Sequence, residues 1–466
     1  LDRDLFLSLS PLDHRYYLSN QALWDELAEF FSENAYIRYE LKVEAALAKV
    51  LAKRGLCSTE VAAEIVAACE NIEPSEVYLE EEKTRHNIRA LVNCVQRQVS
   101  EEAKPFVHFT VTSVDVMDSA TAMRFKEATE KVVLPKMREL ESLLIAIARR
   151  ERATLQVGRT HGQHAVPITF GFAMAEYVSR FGSRIELVSK FSQELRGKIA
   201  GAVGAYNASS LFFDDPEEFE IEVLGELGLK PAHYSNQIVE PEYLTDYIHS
   251  IISAFGVLAN LADDIRHLQR TEIGEVGEAF EATQVGSSTM PHKRNPWNFE
   301  HVKSMWKEFM PRMITLYTDQ ISEHQRDLTN SASGRFVPEI VVGFVAAVER
   351  MTKVLKKLVV DQERMERNFD STKEMVIAEP IYILLASLNH PNAHEAVRLL
   401  TLESQKTGKT LRQLVSENTE LAPYLSRLTP KQLEVLNNPQ KYIGHARQKA
   451  EHVCDEWEKK LGLTSN

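Results

Sequence analysis

The chain has 466 residues, 44% hydrophobic and 26% charged, the proportions of a globular protein and far too apolar for a disordered one. Lysine and arginine number 54 against 67 aspartates and glutamates, and the net charge of −13 argues against nucleic-acid binding, which needs phosphates neutralised. Only 19 glycines and 17 prolines punctuate the sequence, which excludes collagen-like and turn-rich, many-stranded architectures and favours long helices.

In chain order, Leu1-Asp2-Arg3-Asp4 lacks a basic segment leading into an apolar stretch, so no secretory signal is expected. A helical region follows, bounded by the acidic stretch Glu70–Glu82 with its Pro74. The next helix is expected from about Asp118, kinked at Pro135, with Met137, Leu140, Leu144 and Ile147 on one face. Ile168–Lys198 reads as another helix, and Asp214-Asp215-Pro216 as a surface turn. From Leu244 to Ala262 apolar residues cover most of the circumference, which marks a helix buried in a large helical core or an oligomer interface. Pro296–Ile321 and Pro338–Val360 are further long helices. Beyond Val360 the pattern shortens, broken at His390-Pro391-Asn392 and Asn437-Asn438-Pro439. The fold class is therefore all-α, in three parts: an N-terminal helical domain 1–113, a central long-helix bundle 114–361 and a C-terminal helical domain 362–466. The longest unbroken apolar run, Ile340–Val348, has nine residues, well short of the ~18 needed to cross a bilayer, so no membrane partner is expected. Cys57, Cys69, Cys94 and Cys454 are too scattered for a zinc site or a disulfide framework, which makes a reducing cytoplasm the default.

The sequence holds no Walker loop, dinucleotide fingerprint, HExxH motif or GxSxG elbow. His161 and His164 have a spacing that would suit a metal on a helix, but Gly162 and Pro167 favour a loop, and no metal is expected. The densest chemistry lies in Gly286-Ser-Ser-Thr-Met-Pro-His-Lys-Arg-Asn-Pro296. Asn295 as N-cap and Pro296 at the first helical position mark a helix start. The loop before it would present N–H groups, hydroxyls and Lys293 to an anion; a solvated basic loop is the alternative. Three further polar clusters are Gly158-Arg-Thr-His-Gly-Gln-His164, read as a glycine-rich loop, His108-Phe-Thr-Val-Thr-Ser-Val-Asp115, and Thr84-Arg-His-Asn87. Any one of these histidines alone is more often structural than catalytic.

Together these blocks resemble the fumarase/aspartase superfamily, whose members release fumarate or a related acid by breaking a C–N or C–O bond. GSSTMPHKRNP resembles its signature loop, over 284–296. The blocks TRHN, HFTVTSVD, GRTHGQHAVP and HQRDLTNSASGR narrow the resemblance to the adenylosuccinate lyase family, over residues 10 to 335. SPLDHRY near the start, and GAVGAYNA followed by Gln237-Ile238, are similar to its longer bacterial branch. Two positions depart from the family pattern: Asn87 stands where Asp is usual, and Thr110 where Gly or Ala is usual.

The resemblance implies a β-elimination with Ser288 as general base and His161 as general acid. A serine base needs a strongly cationic, closed setting, which Lys293, His292 and the helix start near Asn295 are suited to supply. It further implies that Lys293, Asn295, Thr112 and Ser113 hold the succinyl carboxylates, that Gln237 is the family's carboxamide, and that Glu300 pairs with the acid histidine. His86 resembles a second active-site histidine, with Arg85, Asn87 and Thr160 among the substrate-binding residues. Arg15, Tyr16, Arg85, Ser331 and Arg335 resemble contacts to the nucleotide phosphate and ribose, and Arg326 a contact near the purine. Nucleotide substrates, no cofactor, and a homotetramer with shared active sites are expected on the same ground. The runner-up is a carboxymuconate cycloisomerase or another lyase of the superfamily, since the PHKRNP form is shared with it. A non-catalytic helical scaffold is the reading from outside enzymes, and the presence of both Ser288 and His161 argues against it.

Overall fold

A computed structural model describes residues 7–280, 289–290, 292–322 and 324–463. Helix dominates them, and the sheets among the described residues are three two-stranded pairs. The elements that carry the argument are α1 (Glu33–Lys53), α2 (Asn87–Arg97), α3 (Ser113–Ala128), α4 (Leu134–Arg150), β1 (Leu155–Thr160), β2 (Gln163–Thr169), α5 (Phe170–Gln193), α6 (Glu242–Leu268), α7 (Trp297–Phe309), α8 (Val337–Leu355), α9 (Gln362–Asp370) and α10 (Ala446–Leu461).

The chain divides into two compact units, each discontinuous in sequence. The first comprises Leu1–Met137, Arg184–Gly256 and Ser304–Glu349. Phe125 packs between Phe31 and Tyr247, with ring centroids 5.1 and 5.9 Å away. Phe255 packs likewise against Phe309 and Phe344 at 6.3 and 5.6 Å. The second comprises Arg138–Ser183, Val257–Lys303 and Arg350–Asn466. There Arg149 of α4 ties down α10 through Glu458 (2.8 Å) and Asp455 (2.5 Å). Its C-terminal helices close over Ile377, Ile381, Leu385, Val397, Leu411 and Leu414.

Three local readings need correction. The helix expected from Asp118 starts at Ser113, because Asp115 reaches back to the Thr112 N–H (2.7 Å) and closes the first turn. The irregularity before Pro135 is a π turn, Thr129–Val133. Pro135 offers no N–H and crowds the carbonyl one turn back, and the wider turn accommodates both. The stretch read as a glycine-rich loop is a hairpin, with β1 and β2 antiparallel and Thr160 opposite Gln163. Its two-residue turn, His161-Gly162, has φ of 55° and 74°, the left-handed pair whose twist matches the strands. A bulge sets Ala165 and Val166 of β2 opposite the single residue Gly158, where a Cβ would lie 2.5 Å from the Val166 carbonyl oxygen.

α6 is long and apolar enough to span a bilayer by length and composition alone, but 67% of its most apolar window is buried in the protein. It is a core helix.

Candidate active site

In the first unit, α3 supports several of the candidate residues. Thr112 precedes it and Ser113 opens it, so their hydroxyls stand at the positive end of the helix. Asp115 is fully buried and takes the Lys198 ammonium together with the N–H groups of Ala200 (3.1 Å) and Gly201 (3.2 Å). Four donors satisfy this carboxylate, which makes its burial tolerable. The Asn87 side chain, at the start of α2, donates to Met117 Sδ (3.6 Å), which sets the His86-Asn87 pair against the same helix. A carboxylate, as the family usually has here, would have no hydrogen to give. His86 caps α2 by accepting the Arg89 N–H at Nδ1 (3.3 Å), and Arg85 before it is left-handed, with φ 56°. The Gln237 N–H donates to the Gln325 carbonyl (3.4 Å), which brings the Arg326 segment alongside. Arg15 and Tyr16 lie on a π turn, Leu12–Tyr16, where Tyr16 stacks on Trp24 at 6.4 Å. Burial, then the charge of Glu339, pushes the Asp13 carboxyl pKa up. This places the turn near the start of α8, just after Ser331 and Arg335.

In the second unit, Thr160 and His161 are exposed at the hairpin tip. The strand leading to that tip is fixed by Glu275, a carboxylate with no exposed surface. Arg159 grips Glu275 with both terminal nitrogens (2.5 and 3.0 Å), while Gln156 (2.9 Å) and Asn368 (2.8 Å) donate to the same two oxygens. A bidentate pair whose carboxylate is wholly buried and whose guanidinium is largely so has both strength and a fixed direction. The hairpin also packs Val157 against Phe369 of α9 and Val376. His164 bonds Thr372 Oγ1 through Nδ1 (3.0 Å), and burial, followed by the charge of Arg159, lowers its pKa.

Ser288 and the rest of 281–288, with Pro291, lie outside the described residues. Both flanks of the signature loop are anchored by one side chain: Gln269 accepts the Glu278 N–H (3.0 Å) and donates to the Arg294 carbonyl (3.1 Å). The helix start falls one residue later than expected, with α7 beginning at Trp297 and the Pro296 carbonyl accepting from Glu300 N–H (2.9 Å). Two of its first three N–H groups are already taken. The Glu278 carboxylate takes those of Asn298 (2.8 Å) and Phe299 (3.1 Å) as well as the Asn298 side chain (2.7 Å). Lys293 and Glu300 are exposed and Asn295 is half-buried. Among the described residues no hydrogen bond or ion pair joins Glu300 to His161.

Sequence reasoning passed over Asp115, Arg159, Gln269, Glu275 and Glu278, the residues that hold the candidates in place. Asp115 alone had a local signal, an acid three residues after a capping threonine. The others find partners in distant segments, and of these only Arg159 lies within a motif, which gave no sign of its partner.

Residues 14–310 match a family model described as lyase, and residues 322–443 one described as adenylosuccinate lyase C-terminal. Among curated relatives, the adenylosuccinate lyase of Pyrococcus abyssi is 36% identical over 456 residues, covering 96% of this chain and 98% of the relative. That of Methanothermobacter thermautotrophicus is 33% identical over 463 residues, covering 98% and 100%. Among solved structures, the 3-carboxy-cis,cis-muconate lactonizing enzyme from Pseudomonas putida superposes with a TM-score of 0.79 at 25% identity, covering 94% of this chain and 97% of that one. A fumarate lyase from Mesorhizobium sp. BNC1 does so at 0.81 and 24% identity, covering 92% and 97%, a likeness of fold. Two family models end to end, and relatives matched over nearly their whole length, place the chain in the adenylosuccinate lyase family of the fumarase/aspartase superfamily.

Proposed function

We propose that the chain releases fumarate by β-elimination from adenylosuccinate, giving AMP, and from the succinylated aminoimidazole carboxamide ribotide of purine synthesis, giving AICAR. Ser288 removes the proton beside a succinyl carboxylate, which takes up the charge as its aci form. The C–N bond then breaks, its electrons leave with nitrogen, and His161 protonates that nitrogen. Lys293, Asn295, Thr112, Ser113 and Gln237 hold the carboxylates, where preorganised donors act most strongly on the developing charge. His86 and Glu300 assist proton transfer, Arg85, Asn87 and Thr160 line the site, and Arg326 lies near the purine. Arg15, Tyr16, Arg85, Ser331 and Arg335 take the ribose phosphate, which both substrates share. No metal or cofactor enters this scheme.

The observation that supports it best is an exposed imidazole at the tip of a hairpin whose first strand is locked, at Arg159 beside that tip, by a largely buried ion pair. A general acid must be reachable by substrate and yet held in one place. The three-domain division at 113 and 361, a homotetramer with shared sites, and a cytoplasmic location belong to the same proposal. Ile314, Tyr317, Ile321, Leu328 and Phe336 are exposed within one short stretch, as an interface between copies requires.

Fumarate release from both substrates by the purified protein, without added cofactor, tests the reading. Ser288→Ala and His161→Gln should each lower kcat by about 10²–10⁴-fold and leave KM little changed. Turnover of a carboxymuconate substrate instead, indifferent to Arg15→Ala and Arg335→Ala, would overturn it in favour of a cycloisomerase.

A further inference from the structure

α3 does more than present Thr112 and Ser113. One turn beyond Asp115, Asp118 accepts the N–H of Val239 at 2.9 Å. Ser119 beside it accepts the Lys198 N–H and donates to the Lys198 carbonyl, both at 3.1 Å. Positions 115, 118 and 119 share one helix face, so a single rigid element holds both the 198–201 loop and the 235–239 segment.

That segment is a tight turn with Gln237 at its centre. The Asn236 side chain accepts the Ile238 N–H (2.8 Å), and Ser235 pairs with Val239 across the turn. On its entry side Gly204, at φ 76°, lies so close that a Cβ would sit 2.0 Å from the Ser235 carbonyl oxygen. On its exit side, among the described residues, the Asp118 carboxylate is what the Val239 N–H meets. Gln237 is thus bracketed by a close backbone contact before it and a charge-assisted hydrogen bond after it.

We propose that Asp118 is a positioning residue that, through Val239, sets the Gln237 carboxamide at a fixed spacing from Thr112 and Ser113. Three of the groups that hold the succinyl carboxylates are then held by one helix. This rests on the roles given above to Gln237, Thr112 and Ser113.

A double-mutant cycle tests it, with Asp118→Ala, Asp118→Asn, Gln237→Ala and the combined variants assayed for kcat, KM and product inhibition. D118A should lower kcat/KM about 10- to 100-fold. D118N, whose carbonyl oxygen still accepts a hydrogen bond, should lose only a few-fold. In the Q237A background neither change should cost more than about twofold, because the group they position is gone. Inhibition by fumarate should weaken in D118A and inhibition by AMP should not, since only the succinyl end is misplaced. Should D118A fail to fold, by circular dichroism, the D118N cycle is read in its place. Losses that multiply in the double variant, or equal weakening of fumarate and AMP, would show Asp118 to be structural only. A Q237A enzyme as active as the parent would instead remove the role of Gln237, and the proposal with it.

Discussion

Thr110 stands at φ 66°, a left-handed conformation that a β-branched side chain tolerates poorly, and its buried hydroxyl oxygen has no hydrogen-bond partner. Gly, one of the family's usual choices here, would satisfy the backbone at no steric cost. His108, two residues earlier, is also left-handed (φ 61°), but Glu44 holds both its N–H (3.0 Å) and its Nδ1 (2.6 Å). Thr110→Gly should therefore stabilise the protein by about 1 kcal/mol, read as a higher denaturation midpoint at unchanged slope. A lower midpoint would mean that the threonine methyl packs well enough to outweigh the strain. His161 presents the converse case. It too is left-handed, at φ 55°, in a turn position that suits glycine. His161→Gly should fold as well as the parent or better while losing about 10²–10⁴-fold in kcat, a separation of stability from activity expected where strain serves a site. Equal losses of both would place His161 among the residues that merely hold the hairpin.

The hairpin is the element on which the proposed chemistry turns, and Glu275 is its anchor. Glu275→Gln leaves the Arg159 guanidinium largely buried without its counter-charge, a loss of about 3–5 kcal/mol where such pairs are broken on one side. The expected result is a lower melting temperature together with a kcat loss larger than the change in KM, as His161 drifts from its place. Arg159→Lys keeps the charge but not the fork, and should fall between E275Q and the parent. Parent-like turnover in E275Q would detach the hairpin's anchoring from catalysis. The same element marks how far the sequence could be read. The long helices were legible because their apolar residues recur at helical spacing over several turns, as in Met137, Leu140, Leu144 and Ile147, all buried. The hairpin was not, since Gly158, Gly162 and Pro167 all look like loop residues while its strands show little alternation. Ser113 was missed as a helix start because apolar periodicity sets in after the cap. The motif residues stood out by their clustered functional groups. Glu275, Glu278 and Gln269 did not, because their roles exist only once distant segments meet.

Across the whole molecule, burial of acids sets how stability should vary with pH. Glu40 on α1 is buried, and desolvation, only partly offset by Tyr36 and the charge of Arg124, pushes its pKa up to about 8. Glu141 on α4 is buried with neither carboxylate oxygen hydrogen-bonded, and burial raises its pKa well above the ordinary value. For both, the unfolded chain ionises first as pH rises, so it binds fewer protons than the native state between about pH 4.5 and the native pKa. Their stabilisation is complete below that window and is lost through it. His108 adds to the loss: burial opposes its charge, but Glu44 raises its pKa on balance, so its contribution fades as pH climbs above about 6.5. Other acids act in the opposite sense. Arg97 and Asn93 hold Glu80 down to about 2, and Lys303 and Arg266 keep Asp263 low despite its desolvation. Their contribution is present above the unfolded carboxylate pKa and lost only as pH falls below it. The two sets together place the stability maximum near pH 4.5, where unfolded carboxyls titrate, with a decline toward pH 8 to which Glu40 alone contributes on the order of 4 kcal/mol. Denaturant midpoints at fixed protein concentration should trace that dome, and Glu40→Gln and Glu141→Gln should each flatten its alkaline side while leaving the acid side unchanged. Stability that holds steady to pH 8 in the parent, or an alkaline decline untouched by either variant, would mean that water or a partner subunit satisfies these carboxylates and keeps them ionised.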